Sequence, residues 1–336
     1  MCMIPREYRG VAGAVFLFLL IQLGALALVQ TFFDQGYQAV ENPEDPTNSL
    51  LYFGAILLAT VGFLAAFKYD LDWIVRVVIV ATSGLLSWYV FSAVLPMLLA
   101  VVFGSAVAIA LWVYPEWYVI NTAGVLMGAG AAGLFGITFG ILPAILLLSV
   151  LAIYDAISVY KTEHMLDLAD GVMDLRIPAI LIIPLTLSYS ILDDESDDGD
   201  DDDDETATND DELTEDDVDQ PDQPDETDTA DETDRSRDVF FIGLGDAVIP
   251  GVLIASAAFF SPAPQLDVPV IELNLPALFA LVGTMAGLLV LMRMVMKGRA
   301  HAGLPLLNGG AIGGYLLGSL LVGIPLLEAI GLAGLF

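Results

Sequence analysis

The sequence is poor in the residues from which many enzyme and binding sites are built. It has one cysteine, Cys2, and therefore no intrachain disulfide. Neither of its two histidines, His164 and His301, begins an H-E-x-x-H pair, and G-x-S-x-G is absent, which argues against a zinc metalloprotease and a serine hydrolase. Only 11 Lys and Arg oppose 43 Asp and Glu, so phosphates would find no basic patch. We expect no metal, no cofactor and no nucleic-acid partner.

Apolar residues, in contrast, are abundant and clustered. They make up 57% of the chain and occur in runs of about 20, the length that crosses a roughly 30 Å hydrocarbon core at 1.5 Å per residue. We predict an all-α polytopic membrane protein that contacts the lipid bilayer through nine transmembrane helices. Their predicted limits are 11–33, 49–68, 73–92, 95–114, 118–138, 141–160, 239–260, 275–296 and 304–323.

The distribution of charge predicts an orientation for these helices. With nine spans, every Lys and Arg falls on the side of the N-terminus, whereas acids such as Asp34 and Glu272 lie in the opposite loops. The positive-inside rule then predicts a multi-pass protein of the cell membrane, with the N-terminus cytoplasmic and the C-terminus extracytoplasmic. Arg6, Arg9 and the run Ala25-Leu26-Ala27 also resemble a signal peptide. Because the apolar run is longer than usual and more spans follow, we expect the first span to be retained.

The chain divides into three parts at its most polar stretch. Residues 1–160 carry helices 1–6, residues 161–238 form a cytoplasmic loop, and residues 239–336 carry helices 7–9. At about 193–238 the loop consists almost entirely of Asp, Glu, Thr, Pro, Gln and Ser, which predicts a disordered acidic insert. A solvated spacer is the simplest interpretation, and a binding tail for a basic partner or a cation is the alternative. Abundant Asp with scarce Lys suggests a salt-adapted prokaryote, in which salt screens the repulsion.

The rest of the loop contains two shorter patterns. Apolar residues recur at helical spacing over 165–174 opposite three aspartates, which predicts an amphipathic surface helix. The run from Ile180 to Ile183 stands between Pro178 and Pro184, is too short to span a membrane, and is predicted to be extended.

Two aspartates lie inside predicted spans. An Asp at the centre of a span costs about 2.5–3.5 kcal/mol on insertion scales, so it usually faces a cavity and has a function. Asp155 and Asp246 are predicted at similar depths, about 9 and 12 Å from the cytoplasmic end, on antiparallel spans 6 and 7. Such a pair can share one proton, so that one carboxylate takes a proton from water while the other donates to a carbonyl.

Three short motifs occur in a fixed order around these aspartates. Tyr154-Asp155, the run Gly243-Leu244-Gly245-Asp246 and the run Leu304-Pro305-Leu306-Leu307 resemble the YD, GxGD and PAL motifs of the presenilin and signal peptide peptidase family. Within that family of intramembrane aspartyl proteases, the chain is most similar to archaeal presenilin homologues. Leu306 departs from the family pattern, because it replaces the middle alanine of PAL, and this change puts substrate preference in doubt.

The resemblance implies both an activity and a set of site residues. It implies cleavage of the transmembrane segments of single-span membrane proteins or peptides, with Asp155 and Asp246 as the catalytic pair. Residues implied to bind substrate or to shape the site are Tyr154, Gly243, Leu244, Gly245, Leu304, Pro305, Leu306 and Leu307. For Gly243 and Gly245, simple small-residue packing is an equal alternative.

Substrate must be unwound before it is cut, and extended backbone in a membrane needs hydrogen-bond partners. We therefore predict strand addition of substrate to Ile180–Ile183, to Leu304–Leu307, or to both. Two other classes of protein remain open. A proton- or cation-coupled transporter or channel would use the same aspartates and a broken-helix ion site at 305–309. A structural membrane scaffold would not need the aspartates.

Overall fold

The computed structural model describes residues 6–159, 180–184, 239–296 and 302–332. The predicted surface helix at 165–174 and the acidic insert at 193–238 lie outside the described residues.

Helices account for most of the described chain and follow the predicted spans. Six of them, α1, α2, α3, α5, α8 and α9, are long and apolar enough to cross a membrane, and α4, α6 and α7 are apolar but have only 17 residues each. A short helix, α10, follows α9. The bounds are α1 Arg6–Asp34, α2 Thr47–Lys68, α3 Asp72–Ser92, α4 Met97–Val113, α5 Trp117–Thr138, α6 Ile141–Ile157, α7 Leu244–Phe260, α8 Leu275–Val295, α9 Leu304–Val322 and α10 Leu326–Ala329.

The described chain is not all helical, because it also contains a two-stranded antiparallel sheet. Strand β1, Ile180–Pro184, pairs with strand β2, Val239–Gly243, so that Ile180 faces Gly243 and Pro184 faces Val239. The extended conformation predicted for Ile180–Ile183 is confirmed. The prediction that helix 7 begins at residue 239 is wrong, because residues 239–243 form β2 and the helix begins at Leu244. A short apolar run that continues into a helix has no period that separates strand from helix.

Helix α5 lies at the centre of the bundle and packs against α1, α3 and α7. Gly136 of α5 faces Ala255 of α7 so closely that a methyl group on the glycine would overlap the alanine. Helices α8 and α9 form the most extensive helix pair. A methyl group on Gly283, Gly310 or Gly314 would overlap the backbone of the facing helix. Gly318 lies equally close to the backbone of Pro276, so these glycines let α8 and α9 pack tightly against each other.

Candidate functional site

The two aspartates lie at neighbouring helix ends. Asp155 is in the last turn of α6 and is only 6% exposed, whereas Asp246 is in the first turn of α7 and is half-buried. The two carboxylates interact electrostatically. Because α7 begins at Leu244, Asp246 is at the junction of β2 and α7, and the sheet lies directly before it in the chain.

The start of α9 contacts both carboxylates. The backbone N–H of Leu304 donates a hydrogen bond to Oδ2 of Asp155 at 3.1 Å. A methyl group on Gly303 would lie 3.1 Å from Oδ2 of Asp246, so that glycine lets the α9 terminus approach the second carboxylate. The first N–H groups of a helix have no partner within it, and Pro305 has no N–H to leave unpaired. The positive end of α9 is therefore directed at the aspartate pair.

The two glycines before Asp246 have open surroundings. Gly243 and Gly245 are both exposed, and neither has the positive φ that would require glycine. A methyl group on Gly243 would meet only the Asp246 carboxylate, at 3.6 Å, and one on Gly245 would meet only the Ile249 side chain, at 3.9 Å. Gly243 is paired with Ile180 through the sheet, but among the described residues no other element fills the space beside either glycine where a side chain would lie, so tight packing does not explain them. Pro250, one turn further on, lacks the N–H that would bond the carbonyl of Asp246, which loosens the first turn of α7.

The remaining predicted site residues are part of the packing around the pair. Tyr154 points to α2, where its ring centroid is 6.2 Å from that of Phe53. Leu244 and Leu307 are buried in one apolar cluster with Leu288. The carbonyl of Leu306 lies against Gly287 of α8, where a methyl group on the glycine would overlap it.

The segment Leu304–Leu307 differs from the sequence prediction. Strand addition at this segment would need free backbone groups, but α9 is continuous from Leu304 to Val322. The N–H of Leu304 is bonded to Asp155, and that of Leu307 is bonded to the carbonyl of Gly303 at 3.2 Å. Neither an open strand edge nor a broken-helix ion site is therefore present there.

Two buried asparagines support the site and were not recognised in the sequence. The Asn121 side chain of α5 donates to the carbonyl of Ile182 at 2.5 Å and accepts from its N–H at 2.8 Å, which fixes β1 from the side opposite β2. Asn308 of α9 donates to the carbonyl of Leu148 on α6 at 2.9 Å. A single polar residue in an apolar helix has no pattern that would reveal its partner.

The described residues contain no group of three or more His, Cys, Asp or Glu that could hold a metal ion. The arrangement offers the chemistry of two interacting carboxylates, one of which accepts a hydrogen bond from a backbone N–H. The exposed Gly243 and Gly245 leave space beside them. These features make the pair a candidate aspartic site in a bundle of apolar helices, six of which are long enough to cross a membrane.

Comparison with known proteins agrees with this class. Residues 15–324 match the family model described as signal-peptide peptidase, presenilin aspartyl protease, so the chain belongs to that family. Two crystal forms, C222 and P2, of a presenilin family intramembrane aspartate protease are similar in structure, each at 28% sequence identity. The C222 form has a TM-score of 0.61 over 93% of this chain and 99% of its own, and the P2 form 0.58 over 92% and 97%. No curated protein sequence matches. The chain is thus an intramembrane aspartic endopeptidase, and the predicted family and enzyme class are confirmed.

Proposed function

We propose that Asp155 and Asp246 are the catalytic pair and that they cleave transmembrane segments of membrane proteins by activating water. The observation that carries this proposal is the convergence of the two carboxylates at the start of α9, where Leu304 donates to Asp155 and Gly303 lies against Asp246. A donor bonded to Oδ2 holds the Asp155 carboxylate in one orientation, as a positioned acid or base requires.

In the proposed reaction the pair holds one proton. The ionised carboxylate removes a proton from water as the water oxygen bonds to the carbonyl carbon, and the protonated carboxyl gives its proton to the carbonyl oxygen. The resulting gem-diol collapses when the C–N bond breaks. The nitrogen receives the proton that the first carboxylate took from water, while a hydroxyl of the gem-diol gives its proton to the second carboxylate. This yields an amine and a carboxylic acid and leaves one proton on the pair. The pair acts as a unit, so the two roles are not divided between the residues.

We also propose that all nine long helices cross the membrane, with the N-terminus in the cytoplasm. The three 17-residue helices are about 25 Å long at helical rise, somewhat less than a hydrocarbon core of roughly 30 Å. Local thinning of the bilayer can accommodate this difference. The segregation of Lys and Arg to one side supports the orientation.

The sheet suggests how substrate is held, and it shifts the proposed contact from β1 to β2. Both backbone polar groups of Ile182 point to Asn121, away from β2. In an antiparallel ladder such a residue and its partner, here Phe241, form a non-hydrogen-bonded pair. The N–H and C=O of Phe241 therefore also point outward, from the other edge of the sheet.

That outer edge has no further strand beside it among the described residues. It leads along Gly243 directly to Asp246, and the Phe241 side chain is 44% exposed. We infer that substrate adds to β2 as a third strand, which satisfies its backbone groups and carries its scissile bond past the glycines to the aspartates.

The catalytic assignment is tested by cleavage of a single-span substrate in vesicles. Asp155→Asn and Asp246→Asn keep the shape of the side chain and an acceptor oxygen but cannot exchange the proton. Each should lower the rate by at least about a hundredfold. Asp34→Asn, at the exposed end of α1, is the matched control and should cleave normally. Near-normal turnover by either test variant would refute the pair, and proton flux without any cleavage would favour transport.

Strand addition is tested at Phe241. Phe241→Pro removes an outward N–H while leaving the β1 ladder intact, and Phe241→Leu changes only the side chain. We expect the proline variant to cleave at least about tenfold more slowly than the leucine variant, because one substrate hydrogen bond to the backbone is lost in an apolar setting. Equal rates for the two variants would rule out pairing at β2 and leave the aspartate pair unaffected.

A further inference from the structure

A groove of about 530 Å³ lies between α1, α5 and β1, on the side of β1 that is opposite β2. Its walls are mostly apolar, and Ile182, Ile183 and Pro184 close it on the β1 side. It is separate from the candidate site, because neither aspartate lines it.

The groove changes character along its length. Arg9, Trp117 and Tyr118 line it near the starts of α1 and α5, whereas Leu20 and Leu126 line it further along the same two helices. Arg9 is exposed and is the only charged residue among those described along the groove. Trp and Tyr are the residues typical of the headgroup level of a bilayer.

The length of the groove also has a counterpart in the membrane. Arg9 and Leu20 are eleven residues apart on α1, which corresponds to about 16 Å at 1.5 Å per residue. One leaflet contributes half of a hydrocarbon core of roughly 30 Å, or about 15 Å. The groove thus has a cation and aromatic rings at one end and an apolar channel as long as one leaflet is thick.

We propose that this groove binds one anionic phospholipid of the bilayer, with its phosphate at Arg9 and an acyl chain along α1 and α5. Charge complementarity selects an anionic headgroup, since the one charged side chain among the described residues that line the groove is a cation. The acyl chain contacts Ile182 and Ile183 and so packs against β1, the strand that Asn121 also holds.

The headgroup contact is tested by native mass spectrometry of the full chain released from micelles with equal amounts of phosphatidylglycerol and phosphatidylcholine. Wild type should retain phosphatidylglycerol preferentially. Arg9→Gln should lower that affinity about fivefold, the change that corresponds to about 1 kcal/mol for one basic residue. Lys68→Gln removes an exposed cation outside the groove and should change nothing. Equal retention of the two lipids by wild type, or equal effects of the two substitutions, would overturn the proposal.

The location is tested by filling the apolar end. Leu126→Trp should abolish retention of phosphatidylglycerol, whereas Leu321→Trp, on an exposed face of α9 outside the groove, should not. If Leu126→Trp retains the lipid as wild type does, the groove is occupied by something else, such as another part of this chain, and the proposal fails. The measurement counts bound lipid on folded protein, so its result does not depend on the proposed catalytic pair.

Discussion

Two regions of this molecule are rich in glycine for opposite reasons. Along the α8–α9 contact, Gly283 and Gly310 face each other so closely that a methyl group on either would overlap the backbone of the other helix. At the β2–α7 junction, Gly243 and Gly245 are exposed, and a methyl group on either would make only ordinary contacts. The first pair of glycines is required by packing that is already present, whereas the second pair leaves space unoccupied.

The difference shows what the same residue contributes in each place. In a membrane, helices associate through close packing, because lipid is as apolar as their side chains, and small residues let backbones touch. Open glycines beside a carboxylate add little to that packing. They are instead suited to the approach of another backbone, such as that of the substrate that we propose is cut at the aspartates.

The largest effect on stability should come from crowding the α8–α9 contact. Gly310→Ala places a methyl group against the Gly283 carbonyl, where the backbone must move, and overpacking of this kind costs about 1–3 kcal/mol. We expect a clearly lowered thermal midpoint in detergent. Gly309→Ala, the preceding residue in the same helix with nothing within 4 Å, should be neutral or stabilising by up to about 1 kcal/mol. Similar midpoints for the two variants would contradict the interlocked packing.

The opposite result is expected at the open glycines. Gly245→Val should leave the thermal midpoint close to that of wild type but lower cleavage at least about tenfold, because it fills the space that substrate backbone needs. Gly54→Val in α2 changes an equally exposed glycine far from the aspartates in sequence and should leave cleavage intact. A cleavage rate for Gly245→Val equal to that of the Gly54 variant would mean that the open space has no role.

Asn308 connects the two regions, because it lies in α9 between Leu304, which contacts Asp155, and Gly310, which packs on α8. Asn308→Leu removes the hydrogen bond from Nδ2 to Leu148. It should lower the free energy of unfolding by only about 1 kcal/mol, because Oδ1 has no partner among the described residues and its removal breaks no second bond. It should also reduce cleavage several-fold by loosening α9 against α6, where Leu304 contacts Asp155. Asn308→Gln should restore part of the rate if the hydrogen bond is the cause, and an unchanged rate for Asn308→Leu would remove Asn308 from the support of the site.

The smallest effect is expected from the acidic insert. Deletion of residues 195–232 removes almost only polar and acidic residues, so both the thermal midpoint and cleavage should remain those of wild type. Loss of cleavage in a well-folded deletion variant would assign the insert a function.

The sequence predicted most of the helices, because apolar runs of membrane length are a strong signal over some 20 residues. It also brought Asp155 and Asp246 together, through their burial cost and their motifs. It misplaced the start of α7, because β2 is five apolar residues that continue into a helix without a break.

The supporting contacts could not have been predicted from the sequence. The bond from Leu304 to Asp155 depends on a backbone N–H, which every residue but proline possesses, and on how α9 meets α6. The role of Asn121 depends on the position of β1 in space. Neither leaves a period or a composition in the sequence.

The pairing of Pro184 with Val239 has a consequence for residues 185–238. Because these two residues are partners in the sheet, the intervening segment begins and ends at one place. The entropy lost on closing such a loop rises only with the logarithm of its length, by about 0.6 kcal/mol for each doubling. The sheet therefore tolerates large changes in the length of the segment between β1 and β2. A reporter domain whose termini are close together could be grafted here with little strain on the helices.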